Sequence, residues 1–206
     1  MDFKTYYIYE SSQEEDQLPD HSEVSIVNRI SQDNIDKIPE IRLVRGAKSG
    51  SKEDFCALYG LYKDRLYRYA LYRLGDATDA EDAVSECVMA AWKDIRSLRD
   101  DHAFSAWIFR ILHNICAGMI RKKIESREAL EKAAESLPLV SDAGASKSAE
   151  LADALSRLTD EEREIILLSV VSGLTSKEIS GITGITPGSC RSKLSRSLAK
   201  MREILS

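Results

Sequence analysis

The chain has 206 residues, of which 43% are hydrophobic and 31% charged, with only ten glycines and four prolines; this leaves room for one or two helical globular domains. No run of alternating β-branched residues marks a strand, no apolar run nears the ~20 residues of a membrane span, and the MDFKTYY start is not a basic-then-apolar signal peptide, so a cytoplasmic protein without membrane insertion is expected. The net charge of −5 is uneven: residues 1–40 hold ten acids against three Lys/Arg (net −7), and the remaining 166 residues hold 26 Lys/Arg against 24 acids (net +2).

Residues 1–40 therefore read as an acidic N-terminal extension on a weakly basic body, a pattern common among nucleic-acid binders. Pro19-Asp20 is a turn signal, Val24, Val27 and Ile30 fall on one side of a brief helix, and the composition otherwise favours disorder. From Ile41 to Lys123 several helical patterns follow one another. The first long one begins near Asp54 and carries Phe55, Leu58, Tyr59, Tyr62, Leu66, Tyr69 and Leu74, until Gly75-Asp76 breaks it. Thr78 with Glu81 three residues on predicts a capping box. The helix after it, Ala80 to Trp92, puts Val84, Val88, Ala91 and Ile95 on one face and Asp82, Glu86, Met89 and Lys93 on another. A polar loop, Arg96 to His102, leads into a helix from Phe104 to Lys123 with Phe104, Ile108, Ile111, Ile115 and Met119 as its core stripe. Arg110, Asn114 and Arg121 form a second stripe at the same period.

Apolar residues thin out over 124–148, and SDAGASKS has linker composition. The last segment, 149–206, has a helix around Leu151 to Leu158 and a second one opening on Thr159-Asp160-Glu161-Glu162, acids that suit a helix N-terminus. A helix-turn-helix pattern follows. Thr175 and Glu178 form a capping box, Gly181 and Gly184 end that short helix, and Thr186 caps the next with Pro187 at its first position. Cys190, Leu194, Leu198, Met201 and Leu205 make the buried stripe of the second helix. Its other side carries Ser189, Arg191, Ser192, Lys193, Ser195 and Arg196. From Ile165 onward six Lys/Arg face two acids, so a basic, serine-lined helix after a tight turn is placed as a major-groove reader.

The four cysteines, Cys56, Cys87, Cys116 and Cys190, lie apart among apolar neighbours and are expected as buried thiols. His113 and Cys116 are three apart on one helix, but two ligands without a second pair make no metal site. No phosphate-cradling glycine loop or nucleophile with an adjacent base is present, so neither a metal, a cofactor nor an enzyme activity is expected.

Taken in order, these motifs resemble the bacterial RNA polymerase sigma factors of the extracytoplasmic-function group, over about Ile41 to Ser206. Ala80-Glu81-Asp82 and Glu86 match the family's clamp-binding helix. Phe104, Trp107, Arg110, Asn114 and Arg121–Lys123 match its promoter-melting helix. Arg163, Glu178-Ile179, Gly184-Ile185, Gly188, Ser192, Leu194 and Arg196 match its C-terminal helix-turn-helix. The sequence departs at Ser85, where the family has glutamine, at Val88 for an aromatic, at Gly118 for aspartate, and at Ser189-Cys190 for threonine-valine. The resemblance implies an all-α fold of two small helical domains, region 2 over 41–123 and region 4 over 149–206, joined by a flexible linker over 124–148. It implies core RNA polymerase and promoter DNA as partners, with an anti-sigma factor as a further one. Core polymerase would meet Asp82, Ser85, Glu86 and Met89. The downstream promoter would meet Trp107, Arg110, Asn114, Arg121, Lys122 and Lys123, and the upstream promoter Ser189, Arg191, Ser192, Lys193, Ser195 and Arg196.

The residues themselves agree with that assignment. A melting helix needs an aromatic surface for an unstacked base and cations for the displaced strand; the Arg96–His102 loop is a candidate pocket for a flipped base. Taken alone, Trp107 reads slightly better as a core side chain than as a stacking surface, whereas Arg110 and Asn114 read as functional; Asp82 and Glu86 also read as a solvated face. The competing functions are a stand-alone helix-turn-helix regulator binding duplex DNA as a dimer, and an adaptor whose basic helices meet an acidic protein.

Overall fold

The computed structural model describes residues 40–131 and 147–205, which contain eight α-helices and no strand. The acidic extension before Glu40 and the linker residues 132–146 lie outside the described residues.

Helix α1 (Glu40–Lys48) buries Leu43, Val44 and Ala47. Its backbone approaches α2 (Lys52–Leu74) so closely that a Cβ on Gly46 would sit 1.8 Å from Asp54 Oδ2. Helix α2 starts at Ser51, whose hydroxyl accepts from the Asp54 amide at 3.1 Å, a little before the apolar pattern begins. It buries Phe55, Leu58, Tyr62, Leu66 and Tyr69, while Tyr59 and Leu74, expected in the same row, are half-buried. The predicted cap of α3 (Ala77–Asp94) is corrected: Asp76, extended at ψ 133, accepts from the Asp79 amide at 2.9 Å, and Thr78 lies exposed inside the first turn. The left-handed Gly75 at φ 73 ends α2 and turns the chain early enough for Asp76 to cap. The Val84, Val88, Ala91 and Ile95 face is buried as expected.

Between α3 and α4 the Arg96–His102 stretch is structured, with 3-10 turns over Ile95–Ser97 and Asp101–Ala103. Asp101 accepts from Arg45 at 2.9 Å and from Lys48 at 2.7 Å, which ties this loop to α1. Those two cations hold its carboxyl below the usual range.

Helix α4 (Phe104–Glu131) runs past Lys123, where the linker was expected to begin. Its buried row is Phe104, Ile108, Phe109, Leu112 and Cys116; Ile111, Ile115 and Met119 are only half-buried. The helix is apolar over two adjacent rows, and periodicity alone does not say which one meets α2 and α3. An 18-residue window within residues 101–126 reaches a mean hydropathy of 1.3, so by length and composition alone the helix is apolar enough to cross a membrane. Here the same apolar surface closes a helical core. Tyr62 meets Phe104 edge-on with ring centroids 5.2 Å apart, and Tyr69 meets Phe109 at 5.9 Å. Each such pair adds about 0.5–1.5 kcal/mol beyond burial.

The C-terminal half comprises α5 (Lys147–Ser156), α6 (Asp160–Ile166), α7 (Ser176–Thr183) and α8 (Pro187–Leu205). Thr159 and Glu162 form a capping box at α6, and its end widens into a π-helical turn over Leu167–Val171. Ile165, Ile166, Leu167 and Leu168 are all buried, with α8 lying across α5, α6 and α7. The predicted stripe of α8 is corrected: Cys190, Ser197 and Met201 are buried, Leu194 and Leu198 are half-buried, and Leu205 stays 50% exposed. A helix covered on only part of its length buries its middle and leaves its last turn to solvent.

Candidate nucleic-acid interface

The helix-turn-helix is built as its punctuation dictates. The Thr175 amide donates to Glu178 Oε2 at 2.7 Å, and the Glu178 amide donates back to Thr175 Oγ1 at 3.4 Å, satisfying two free donors of α7. Gly184 adopts φ 76, ψ −3 and closes the helix; a side chain at that left-handed position costs about 1–2 kcal/mol. Gly181, expected to end α7, sits inside it. Thr186 Oγ1 accepts from the Ser189 amide at 3.3 Å and Pro187 is the first residue of α8. Cys190 Sγ reaches Ile185 O at 3.6 Å, which seats α8 on the turn.

On α8, Arg191, Ser192, Ser195 and Arg196 are exposed, and Ser189 and Lys193 half-buried. Lys193 is ion-paired with Glu161 on α6, and Lys200 with Glu162 at 3.4 Å. Arg196 donates to Ser192 O at 3.3 Å and lies along its own helix. Arg163, matched to the family motif, works structurally: it donates to Leu155 O at 3.0 Å and to Ser156 O and Leu158 O at 3.4 Å. Those bonds satisfy carbonyls at the end of α5.

On α3, Asp82, Glu86 and Met89 are exposed, Met89 by 59%, and Ser85 is half-buried. An acidic face surrounding one large apolar side chain is what remains after the opposite face enters the core. On α4, Arg110, Asn114, Arg121, Lys122 and Lys123 are exposed. Lys123 pairs with Asp79 at the start of α3. Trp107 is half-buried, its ring 5.8 Å from that of Phe104, so it packs with one part and presents the other.

The downstream candidate face touches the first helix of the helix-turn-helix. Arg110 Nη2 donates to Gly181 O in α7 at 2.8 Å. Arg65 of α2 donates to Ser172 O just after the π turn and stacks over the Tyr62 and Phe109 rings at 5.1 and 5.5 Å. Between these contacts lies Glu164, 6% exposed. Its Oε1 accepts from the Tyr69 hydroxyl and lies 2.9 Å from His113 Nδ1. Its Oε2 is 2.7 Å from Arg73 Nε, an ion pair without hydrogen-bond alignment. Burial pushes the Glu164 carboxyl up, but the His113 and Tyr69 hydrogen bonds and the Arg73 charge outweigh it and hold it below its ordinary value. His113 thus faces a carboxylate, and Cys116 is a buried thiol whose desolvation pushes it up to about 12. Sequence reasoning missed Tyr69, Arg73, His113 and Glu164 as a set. The available signal was the last acid of the charged run Asp160–Glu164, which directly precedes the apolar run Ile165-Ile166-Leu167-Leu168.

Comparison with known proteins now fixes the class. Sigma-70 region 2 matches residues 58–124, and Sigma-70 region 4 matches residues 148–201. The extracytoplasmic-function (ECF) RNA polymerase sigma factor SigW of Bacillus subtilis is 27% identical over 79% of this chain and 94% of its own length. SigL of Mycobacterium tuberculosis is 29% identical over 77% and 93%. BldN of Streptomyces coelicolor is 28% identical over 80% of this chain, which spans 65% of BldN. Among solved structures, RpoE of Bartonella quintana, crystallised with the anti-sigma factor NepR, aligns with a TM-score of 0.62 and 27% identity over 74% of this chain and 97% of that one. CnrH in complex with the cytosolic domain of CnrY aligns at 0.62 and 25%, over 81% and 96%. The chain belongs to the extracytoplasmic-function group of RNA polymerase sigma factors, and its function is promoter recognition and transcription initiation.

Proposed function

We propose that this sigma factor holds core RNA polymerase through the α3 face of Asp82, Ser85, Glu86 and Met89. It reads the downstream, minus-ten promoter element with Trp107, Arg110, Asn114 and Arg121–Lys123 of α4. It reads the upstream, minus-thirty-five element with Ser189, Arg191, Ser192, Lys193, Ser195 and Arg196 of α8. The supporting observation is that one chain carries a capped helix-turn-helix and, on a separate long helix, an exposed polar stripe beside an accessible aromatic edge.

Each face suits its task. Exposed acids give register and a fast association with a basic partner, and Met89 offers a deformable apolar anchor. Stacking an unpaired base on an aromatic ring contributes about 1–3 kcal/mol, while Arg121–Lys123 would attract the phosphates of the separated strand. The α8 cations fall on the groove side of a helix-turn-helix. The Arg96–His102 loop, anchored by Asp101, offers exposed Arg96, Arg99 and His102 beside α4 as the rim of a base pocket. The protein itself carries out no bond chemistry; the polymerase supplies it. Because the structural relative from Bartonella quintana was solved with an anti-sigma factor, a partner of that class is proposed here too.

The test is association of purified protein with core polymerase. The Asp82→Lys/Glu86→Lys variant should keep its helicity, since exposed charges rarely change stability by more than about 0.5 kcal/mol, and lose co-purification with core in moderate salt. Co-purification at the level of the unmodified protein would remove α3 from the interface.

A further inference from the structure

The contact between the two halves has a geometry that bears on regulation. Arg65 and Arg110 approach region 4 at two glycines, where a Cβ on Gly173 or on Gly181 would come within 3.1 Å or 3.0 Å of their guanidinium nitrogens. Between them Glu164 enters region 2 as a buried carboxylate met by Tyr69, His113 and Arg73. A carboxylate this buried is expensive to leave unpaired, and its partners all come from the other half. Meanwhile Arg110, a candidate for the downstream element, is held 2.8 Å from a carbonyl of the helix-turn-helix. On duplex DNA the minus-ten and minus-thirty-five elements are centred roughly 25 base pairs apart, about 85 Å at ~3.4 Å per pair. With the helix-turn-helix held against the helix that carries Arg110, the two candidate faces do not reach both elements.

We propose that Glu164 is an intramolecular latch. In the free protein it locks region 4 onto region 2 in a closed state that withholds Arg110 and prevents simultaneous engagement of both promoter elements, and productive promoter binding requires Glu164 to leave the Tyr69–Arg73–His113 pocket. This rests on the two-element reading above for its consequence, but closure itself is measurable without DNA. Because both halves belong to one chain, each contact acts at the high effective concentration set by the tether, so a few polar contacts suffice, and a partner that binds one half in the open state shifts the population.

The experiment uses full-length protein with Cys56→Ser, labelled with a dye pair at Arg99→Cys and Arg202→Cys, both exposed positions on opposite halves. The parent should show a dominant high-transfer population. Glu164→Gln, which keeps shape and removes charge, should cut that population by at least half with helicity unchanged. If Glu164→Gln loses helicity, Arg65→Ala/Arg110→Ala, which removes the two outer contacts, decides by the same readout. Transfer unchanged in the folded variant overturns the latch. A second arm measures affinity for a forked promoter fragment, duplex upstream and single-stranded across the downstream element. Glu164→Gln should gain about tenfold on the fork and less than twofold on an upstream-only duplex. An equal gain on both overturns the two-element consequence. Absence of any sequence-specific binding, with the transfer change intact, would instead count against the promoter reading.

Discussion

At the scale of single residues, Glu164 gives the stability of this protein a defined pH dependence. Its carboxyl titrates below its ordinary value of 4.5 in the folded chain. Its contribution is therefore complete above that ordinary value and is lost as pH falls from there through the depressed folded one, because the unfolded chain takes up the proton before the native state does. Denaturant unfolding of the parent and of Glu164→Gln should differ most near neutral pH, and the difference should shrink below about pH 4. A difference that grows on acidification would mean Glu164 is protonated at neutral pH. On α8, the ion pair to Glu161 already engages Lys193, whereas Arg191 is exposed and not drawn back along the helix. Arg191→Ala is expected to cost about 1–3 kcal/mol on the upstream element and to relax preference at one base pair. Lys193→Ala should weaken all sequences by a smaller, even amount. Binding to a randomised upstream element ranks the two, and a larger base-specific loss for Lys193 would reverse the roles.

At the scale of elements, the tightest sequence requirement is the α1–α2 crossing. Gly46→Ala places a methyl against the Asp54 carboxylate, a short side chain at the first turn of α2 with little room to yield. Overpacking of this kind typically costs about 1–3 kcal/mol, so thermal unfolding should shift down by several degrees; an unchanged midpoint would show that α1 moves freely. Which elements exist was largely legible in the sequence, because amphipathic periodicity and cap residues are local. The α7 capping box, the Gly184 turn and the Thr186-Pro187 start are where the pattern put them. Asp82, Glu86 and Met89 were legible as an exposed face because the row behind them is unambiguously apolar. What was not legible depends on partners distant in sequence. The buried row of α4 is Phe109, Leu112 and Cys116 rather than Ile111, Ile115 and Met119, because both rows are apolar and only packing chooses between them. Asp76 took the cap from Thr78 because a left-handed Gly75 set the chain direction first. The Glu164 cluster joins residues up to 95 positions apart, a separation that no periodicity reports.

At the scale of the whole molecule, the fold presents three distinct faces on three helices, an acidic one on α3, an aromatic and basic one on α4 and a basic one on α8, and the proposed function gives each a separate task. The first two share one helical core, and the third belongs to a half that docks on it through Arg65, Arg110 and Glu164. A stand-alone regulator binding as a dimer has no use for the α3 and α4 faces; a sigma factor uses all three at once. That difference makes transcription, rather than DNA binding, the direct test. Run-off transcription with purified core polymerase on a template carrying a promoter selected by this protein should yield a discrete transcript only when the protein is present. Asp82→Lys/Glu86→Lys should abolish the transcript without unfolding the chain. No promoter-dependent transcript at any protein concentration, together with dimeric binding to a palindromic duplex in the absence of polymerase, would contradict the account.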